Sequence, residues 1–424
     1  MPPIKIQQLL THYKTPILYT VGSMVKAISK MIVGFIIAKY ISPNDLGLWT
    51  TINLAVTYSV FLQAGLINGL NLELPYAFGI GEEDKAKTMA GTVQTFTVIS
   101  SMVIIFISVL FLIYAPVENI KVKYGILAIT IFIVLSYYQN YLMSTFRSKK
   151  SFLKLSIIQI VDAVVNLATL ILVIYYSYYG MIIKTVLVIF IYVLLLHLSR
   201  PIKVGLLWNN TVLLKLLKVG LPIFGLAYLA SIASTADMLW LLRYSNMTDV
   251  GLYSFGLYAF NIFTLFSQSV ASYIYPTMTY NYGKNNDKNI LWLYVRKVTL
   301  LLLIVQIPLA ITGYYMIPVL LTRYFPLYIL STSAMQILLF AGAFQGCVVG
   351  VNAIWSIKNW KYMTIYQLIY SSLYFILPYV GLQVFENKIE GVACGVLLAN
   401  VLNLISGLYL TYYATNSNQQ KKIN

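Results

Sequence analysis

The chain has 424 residues, of which 59% are hydrophobic and 10% charged, with a formal net charge of +17. Soluble domains carry about 25% charged residues, so a water-soluble globule is excluded and an integral membrane protein is expected. The positive excess is spread over short stretches between apolar runs, not gathered in one arm or patch, which argues against a nucleic-acid partner.

Crossing a hydrocarbon core of ~30 Å takes about 20 apolar residues. Runs of that kind fall at 17–40, 46–69, 90–114, 124–146, 155–176 and 179–198, and then at 220–242, 250–275, 298–320, 327–355, 363–384 and 391–413. The expected fold class is an all-α integral membrane protein with twelve transmembrane helices. The start is polar and the first run is long and lacks a small-residue cleavage site, so no cleavable signal peptide is expected and the first helix should direct insertion.

Cytoplasmic loops carry the Lys and Arg excess. With the N-terminus inside, 20 of the 29 basic residues face the cytoplasm, among them Lys5, Lys85, Arg147, Lys149, Lys215, Lys358, Lys421 and Lys422. Six face the other side, and Lys26, Lys30 and Lys184 lie inside predicted spans. Both termini are therefore expected in the cytoplasm.

The segment Tyr40-Ile-Ser-Pro-Asn-Asp45-Leu-Gly47-Leu-Trp49 returns 204 positions later as Tyr244-Ser-Asn-Met-Thr-Asp249-Val-Gly251-Leu-Tyr253, and Gly79 meets Gly283 at the same offset. Two related halves follow. Six spans is an even number, so the halves enter the membrane in the same direction. Parallel repeats of this kind are expected to enclose a central cavity that opens alternately to each side. The basic stretch 200–218 is the natural junction, giving a six-helix bundle at 1–205 and another at 206–424. Asp45 and Asp249 are placed to cap the second and eighth helices, and the glycine that follows each permits close helix approach.

Ionisable residues at membrane depth cost at least ~2.5 kcal/mol each and usually face a cavity. Lys26 and Lys30 share a helical face with Tyr19 and Ser23 on the first helix. An anion between the two lysines would relieve their repulsion. The alternative is pairing with internal carboxylates, with one lysine snorkelling to the cytoplasm; the anion site is favoured. Gln159, Asp162 and Asn166 form a polar stripe on the fifth helix, and Ser231, Ser234 and Asp237 one on the seventh. Asp162 or Asp237 would either neutralise a lysine or bind a proton or sodium ion that drives transport. Glu73, after Asn68 and Asn71, is either solvated or gates the entrance through a partner such as Arg147.

The run Arg147-Ser-Lys-Lys150 ends the fourth helix; it marks topology or attracts anionic lipid headgroups at about 1 kcal/mol per basic residue. Amides at Gln268, Gln336, Gln345, Asn352, Gln367, Asn400 and Asn403 suit either sugars or helix-to-helix bonds. Many of the 36 tyrosines, including Tyr40, Tyr114, Tyr124, Tyr244 and Tyr275, sit at predicted span ends as an interfacial belt. Cys347 and Cys394 fall within apolar spans and receive no redox role. The chain has no G-x-x-x-x-G-K-[ST], H-E-x-x-H or C-x-x-C sequence, so neither ATP hydrolysis nor a catalytic, metal or cofactor site is expected.

Ala236-Asp237-Met-Leu-Trp-Leu-Leu-Arg243-Tyr followed by Asp249-Val-Gly-Leu-Tyr253, together with Asp45-Leu-Gly-Leu-Trp49 and Arg147-Ser-Lys-Lys, resembles the polysaccharide-transporter branch of the multidrug/oligosaccharidyl-lipid/polysaccharide exporter superfamily. The likeness is greatest to Wzx-type O-antigen flippases and covers essentially the full length. It implies a bacterial inner-membrane flippase that moves an undecaprenyl-pyrophosphate-linked oligosaccharide, the O-antigen repeat unit, from the cytoplasmic to the periplasmic leaflet by alternating access. It also implies contact with membrane lipids and with O-antigen polymerase machinery. On that reading Lys26 and Lys30 supply charge for the pyrophosphate, with Asp162, Asp237, Arg147 and Glu73 as further substrate-binding residues. An exporter of another surface polysaccharide, or a cation-coupled multidrug exporter, is the alternative. A lipid II flippase is expected to carry two more helices, and a sugar polymerase or ligase a large periplasmic loop.

Overall fold

The computed structural model describes residues 6–285, 288–357 and 359–420. Lys5, Lys358, Lys421 and Lys422, expected in the cytoplasm, lie outside the described residues, as does the side chain of Asn352. Among the described residues the chain is helical, with α1 (Ile6–Tyr40), α2 (Pro43–Ser59), α3 (Leu66–Gly79), α4 (Glu83–Tyr114), α5 (Ile120–Ser148), α6 (Phe152–Ala168), α7 (Leu170–Leu198) and α8 (Asn210–Ala233). Then come α9 (Ala236–Tyr244), α10 (Met247–Asn285), α11 (Lys288–Tyr324), α12 (Thr332–Cys347), α13 (Asn352–Ile357), α14 (Trp360–Val384) and α15 (Lys388–Gln420). Helices are what apolar runs must form in lipid, because each satisfies its own backbone donors and acceptors.

Among the described residues ten helices are long and apolar enough to cross a membrane, and eleven when the bent pair α2 and α3 counts as one span. The twelfth arises from α7. Ser177 has φ 46° and ψ −120°, a left-handed residue inside what is otherwise continuous helix. A Cβ on Gly180 would lie 1.9 Å from the Leu172 carbonyl oxygen, which is only possible if the chain folds back on itself there. The segment 152–176, made of α6 and the first turns of α7, therefore forms the fifth span, and 178–198 returns as the sixth. This is the reversal expected between 176 and 179.

Several spans are broken where continuous helices were expected. The second runs beyond 69 to Gly79 and bends by 56°, because Ala64 and Gly65 are both left-handed, with φ of 48° and 71°. The seventh breaks at Ser234 and Thr235, leaving Asp237 in the first turn of α9. The tenth is interrupted by a 3-10 turn at Val348–Val351. Tyr275, expected at a span end, lies inside α10, whereas Tyr40, Tyr114 and Tyr244 do end helices and are exposed. Large apolar side chains such as Phe106 on α4, Ile304 on α11 and Ile405 on α15 are also exposed, as suits a lipid-facing surface.

The caps lie three residues before the expected ones. The backbone N–H of Asp45 donates to Ser42 Oγ at 3.2 Å, and that of Asp249 to Asn246 Oδ1 at 2.9 Å. Ser42 and Asn246 are thus the caps, and the two aspartates sit at the third helical position, where a carboxylate favours the positive helix start. Asp249 Oδ2 in turn accepts hydrogen bonds from Ser245 and, at 3.0 Å, from Asn246.

The chain divides into two compact units: Met1–Tyr40 with Ile52–Tyr228, and Ile41–Thr51 with Leu229–Asn424. The first unit has a core of Leu70, Leu74, Met89, Phe146, Leu155 and Tyr192, drawn from α3 to α7. The second unit is organised around the repeated turn. A Cβ on Gly47 would meet the Met247 carbonyl oxygen at 1.9 Å, and one on Gly251 would meet the Pro43 carbonyl oxygen at 1.7 Å. Pro43 and Met247 are themselves 204 positions apart, so the two copies of the segment cross each other by reciprocal contacts that only glycine allows. Tyr328, fully buried against Phe255 at 4.5 Å between ring centroids, donates to the Ile41 carbonyl at 2.9 Å and holds the copy that begins at Ile41 in place.

Candidate functional site

In the first unit the polar stripes of α1 and α6 face each other as a ladder. Ser23 Oγ donates to Gln159 Oε1 at 3.1 Å, Lys26 Nζ pairs with Asp162 Oδ2 at 3.0 Å, and Asn166 Nδ2 donates to Ser29 Oγ at 3.4 Å. The residues on α1 are thus three apart. Lys30, one residue beyond Ser29, is exposed. The expected shared face of Lys26 and Lys30 is split: Lys26 turns in to a carboxylate and Lys30 turns outward.

A third lysine joins from α7. Lys184 is 5% exposed and hydrogen-bonds Asn166 Oδ1, while its ammonium still feels the Asp162 carboxylate and the Lys30 charge. Lys26 Nζ also lies 3.4 Å from the centre of the Tyr192 ring, whose negative face favours a cation. Asp162 is 4% exposed. Three ammonium groups against this one carboxylate leave a formal excess of two positive charges. Positive charge left over in this way is what an anion would balance.

The other two first-unit candidates stand apart from this cluster. Glu73 pairs with Lys215 of α8 at 2.5 Å, not with Arg147. Arg147 Nη2 reaches Asn71 Oδ1 at 3.4 Å, and its neighbour Lys149 pairs with Glu83 at 3.2 Å while lying 3.8 Å over the Phe78 ring. These contacts tie the ends of α3, α5 and α8 and the start of α4 by exposed pairs, each worth ~1 kcal/mol or less.

The second unit holds a cavity of about 530 Å³, and Asp237 lines it. Asp237 is buried; its Oδ2 accepts from the Tyr253 hydroxyl at 2.6 Å and its Oδ1 from the Met238 N–H at 2.7 Å. Gln268 and Gln345, named above as amides, also line it, joined by Asn261, Thr264, Tyr370 and Tyr374. The Tyr374 hydroxyl donates to Asn400 Oδ1 at 2.5 Å and lies 3.3 Å from Gln345 Oε1. Among the described residues no three His, Cys, Asp or Glu side chains converge in a manner that could hold a metal ion.

Sequence reasoning did not assign Lys184, Tyr192, Asn261, Thr264 or Tyr253 to a site. Asn261, Thr264 and Gln268 carried a usable signal, since i, i+3 and i+7 lie on one helical face.

Residues 36–327 match the family described as polysaccharide biosynthesis protein. A comparison with curated proteins found no match. Among solved structures, a multidrug resistance MATE family transporter of the MOP superfamily in an inward-facing conformation is 14% identical, with a TM-score of 0.70 over 93% of this chain and 96% of that one. The lipid II flippase MurJ, in an inward closed conformation, is 17% identical with a TM-score of 0.70 over 94% and 90% of the two chains. The Vibrio cholerae MATE transporter VcmN in the bent form is 16% identical with a TM-score of 0.60 over 95% and 97%. At these identities the structures establish the fold alone, an all-helical multi-pass membrane fold with two six-helix repeats. The family match spans well over half of the sequence, and the chain belongs to the polysaccharide biosynthesis protein family, with the fold of those solved structures.

Proposed function

We propose that this chain is a flippase that moves an undecaprenyl-pyrophosphate-linked oligosaccharide, the repeat unit of an O-antigen, from the cytoplasmic to the periplasmic leaflet of the bacterial inner membrane by alternating access, with both termini in the cytoplasm. The observation that carries this reading is the cluster of Lys26, Lys30 and Lys184 against the single carboxylate of Asp162, in a chain of the polysaccharide biosynthesis family. A pyrophosphate needs positive charge at membrane depth, which this cluster supplies. MurJ, a lipid II flippase by name, shares the fold and handles a lipid-linked substrate, which supports the substrate class.

In mechanism, Asp162 holds Lys26 in place before substrate arrives and limits the repulsion among the three lysines. The incoming pyrophosphate takes up the unbalanced charge at Lys30 and Lys184, and the lipid tail stays in the bilayer. An inside-negative potential then favours outward movement of the anion by about 2.3 kcal/mol per charge per 100 mV. A proton or sodium ion exchanged at Asp162 or Asp237 would add to that drive. The basic ends at Arg147 and Lys215 face cytoplasmic headgroups, and the polymerase acts on the delivered repeat unit.

Deleting the gene in its own host tests this directly. Undecaprenyl-pyrophosphate-linked oligosaccharide is expected to accumulate in the cytoplasmic leaflet while surface polysaccharide disappears. An unchanged lipid pool with intact surface polysaccharide overturns the reading. A cation-coupled multidrug exporter is the second reading, favoured by the buried Asp237 on the second-unit cavity; it predicts increased drug susceptibility in the same deletion with the polysaccharide unaffected.

A further inference from the structure

The second-unit cavity differs in chemistry from anything a pyrophosphate requires. Among the described residues no Lys or Arg lines it, and the one carboxylate there, Asp237, already accepts hydrogen bonds on both oxygens. What remains is neutral and rich in hydrogen-bonding groups. Asn261, Thr264 and Gln268 present one face of α10 to the cavity, opposite Gln345 of α12. Asn261 and Gln268 are exposed within a segment apolar enough to span the membrane. An amide facing hydrocarbon would lose its hydrogen bonds at a cost of several kcal/mol, so both are explained by a wet cavity. Amides and hydroxyls together offer donors and acceptors, which is what a sugar hydroxyl, itself both donor and acceptor, demands.

The aromatic wall completes the match. Tyr370 and Tyr374 lie side by side on α14, 4.4 Å between ring centroids, and line the same cavity. Tyr374 is fixed by Asn400 and Gln345, so its ring is held in place before any ligand arrives. An aromatic face packs against the C–H face of a sugar ring while polar groups bond its rim. The volume of about 530 Å³ falls within the range of about 300–1,000 Å³ usual for ligand pockets.

We propose that this cavity is a carbohydrate subsite that takes neutral sugar residues of the lipid-linked oligosaccharide, with Asn261, Gln268 and Gln345 bonding hydroxyls and Tyr370 packing against a ring. The proposal rests on the flippase reading above. It assigns sugar recognition to neutral hydrogen-bonding and aromatic groups of the second unit.

The test uses the purified full chain in detergent and two probes: undecaprenyl-pyrophosphate-linked oligosaccharide extracted from the native host, and undecaprenyl pyrophosphate without sugar. The double variant Asn261→Ala with Gln268→Ala is expected to weaken binding of the first probe about tenfold or more and to leave the second within about twofold of wild type. Tyr370→Leu, on a different helix, carries the same expectation and decides the matter if the amide variant does not fold. Unchanged affinity for the oligosaccharide probe overturns the subsite while the flippase reading stands. Equal losses for both probes overturn it too, since a sugar contact cannot weaken a ligand without sugar. A wild-type protein that binds neither probe overturns both the subsite and the reading beneath it.

Discussion

The two units solve the problem of polarity inside a membrane protein in opposite ways. In the first, charge is concentrated: Lys26 pairs with Asp162, Lys184 is buried beside them on Asn166 and Lys30 stands exposed at the edge, with ordinary side-chain amides and hydroxyls from α1 and α6 holding the geometry. In the second, charge is almost absent and neutral groups line an open cavity, its one carboxylate tied down by Tyr253. A buried charge demands a partner, and an unbalanced cluster therefore advertises its ligand's sign. A neutral polar cavity advertises hydrogen bonds. The first kind of lining suits an anion and the second suits a neutral, hydroxyl-bearing ligand.

The comparison breaks most severely at Asp162. Asp162→Ala leaves Lys26 without its carboxylate, and removing one partner of a buried pair costs about 3–5 kcal/mol. The variant is expected to show a sharply reduced folded yield and a lower melting temperature in detergent. Asp162→Leu combined with Lys26→Met should recover much of the fold but not export, separating the pair's structural part from the cluster's role in transport. Substituting Gly251→Val attacks the second unit alone: the new side chain would collide with the Pro43 carbonyl, and a loss of about 1–3 kcal/mol or more is expected, read as the same melting shift. Removing charge without breaking a pair is milder. Lys184→Gln keeps a donor for Asn166 and should reduce export while leaving the melting temperature within a few degrees of wild type. At the small end, exchanging the exposed pair by Glu73→Lys with Lys215→Glu should change stability by about 1 kcal/mol or less and leave export near wild type.

Much of the frame could be read before any coordinates. The apolar runs marked the spans, and the gap between the runs 155–176 and 179–198 fell at Ser177, where the chain reverses. The breaks were not. Ala64 is an unremarkable helix residue, and nothing local requires α8 to stop at Ala233; both breaks depend on neighbours distant in sequence. The repeat pointed to Gly47 and Gly251 as contact glycines without saying that they contact each other. Asp45 and Asp249 were placed one turn too early, since Ser42 and Asn246 were equally good caps three residues before.

The site was half visible for a similar reason. Stripes on α1 and α6 were clear from spacing, and α6 packs along the three-residue row of α1, bringing Ser29 inward where a four-residue row would have brought Lys30. Lys184 could be seen as a lysine at membrane depth, but nothing in its spacing along α7 links it to Asn166 on α6. That link exists only once α6 and α7 fold back at Ser177.

The most direct test of the central claim spares the structural pair. In the deletion host, the wild-type gene and the double variant Lys30→Gln with Lys184→Gln would be compared for surface polysaccharide, with membrane levels of both proteins measured together. The variant removes two positive charges and keeps Lys26 on Asp162. Loss of surface polysaccharide at an unchanged membrane level is the predicted result. Export equal to wild type would contradict an anion site in the lysine cluster.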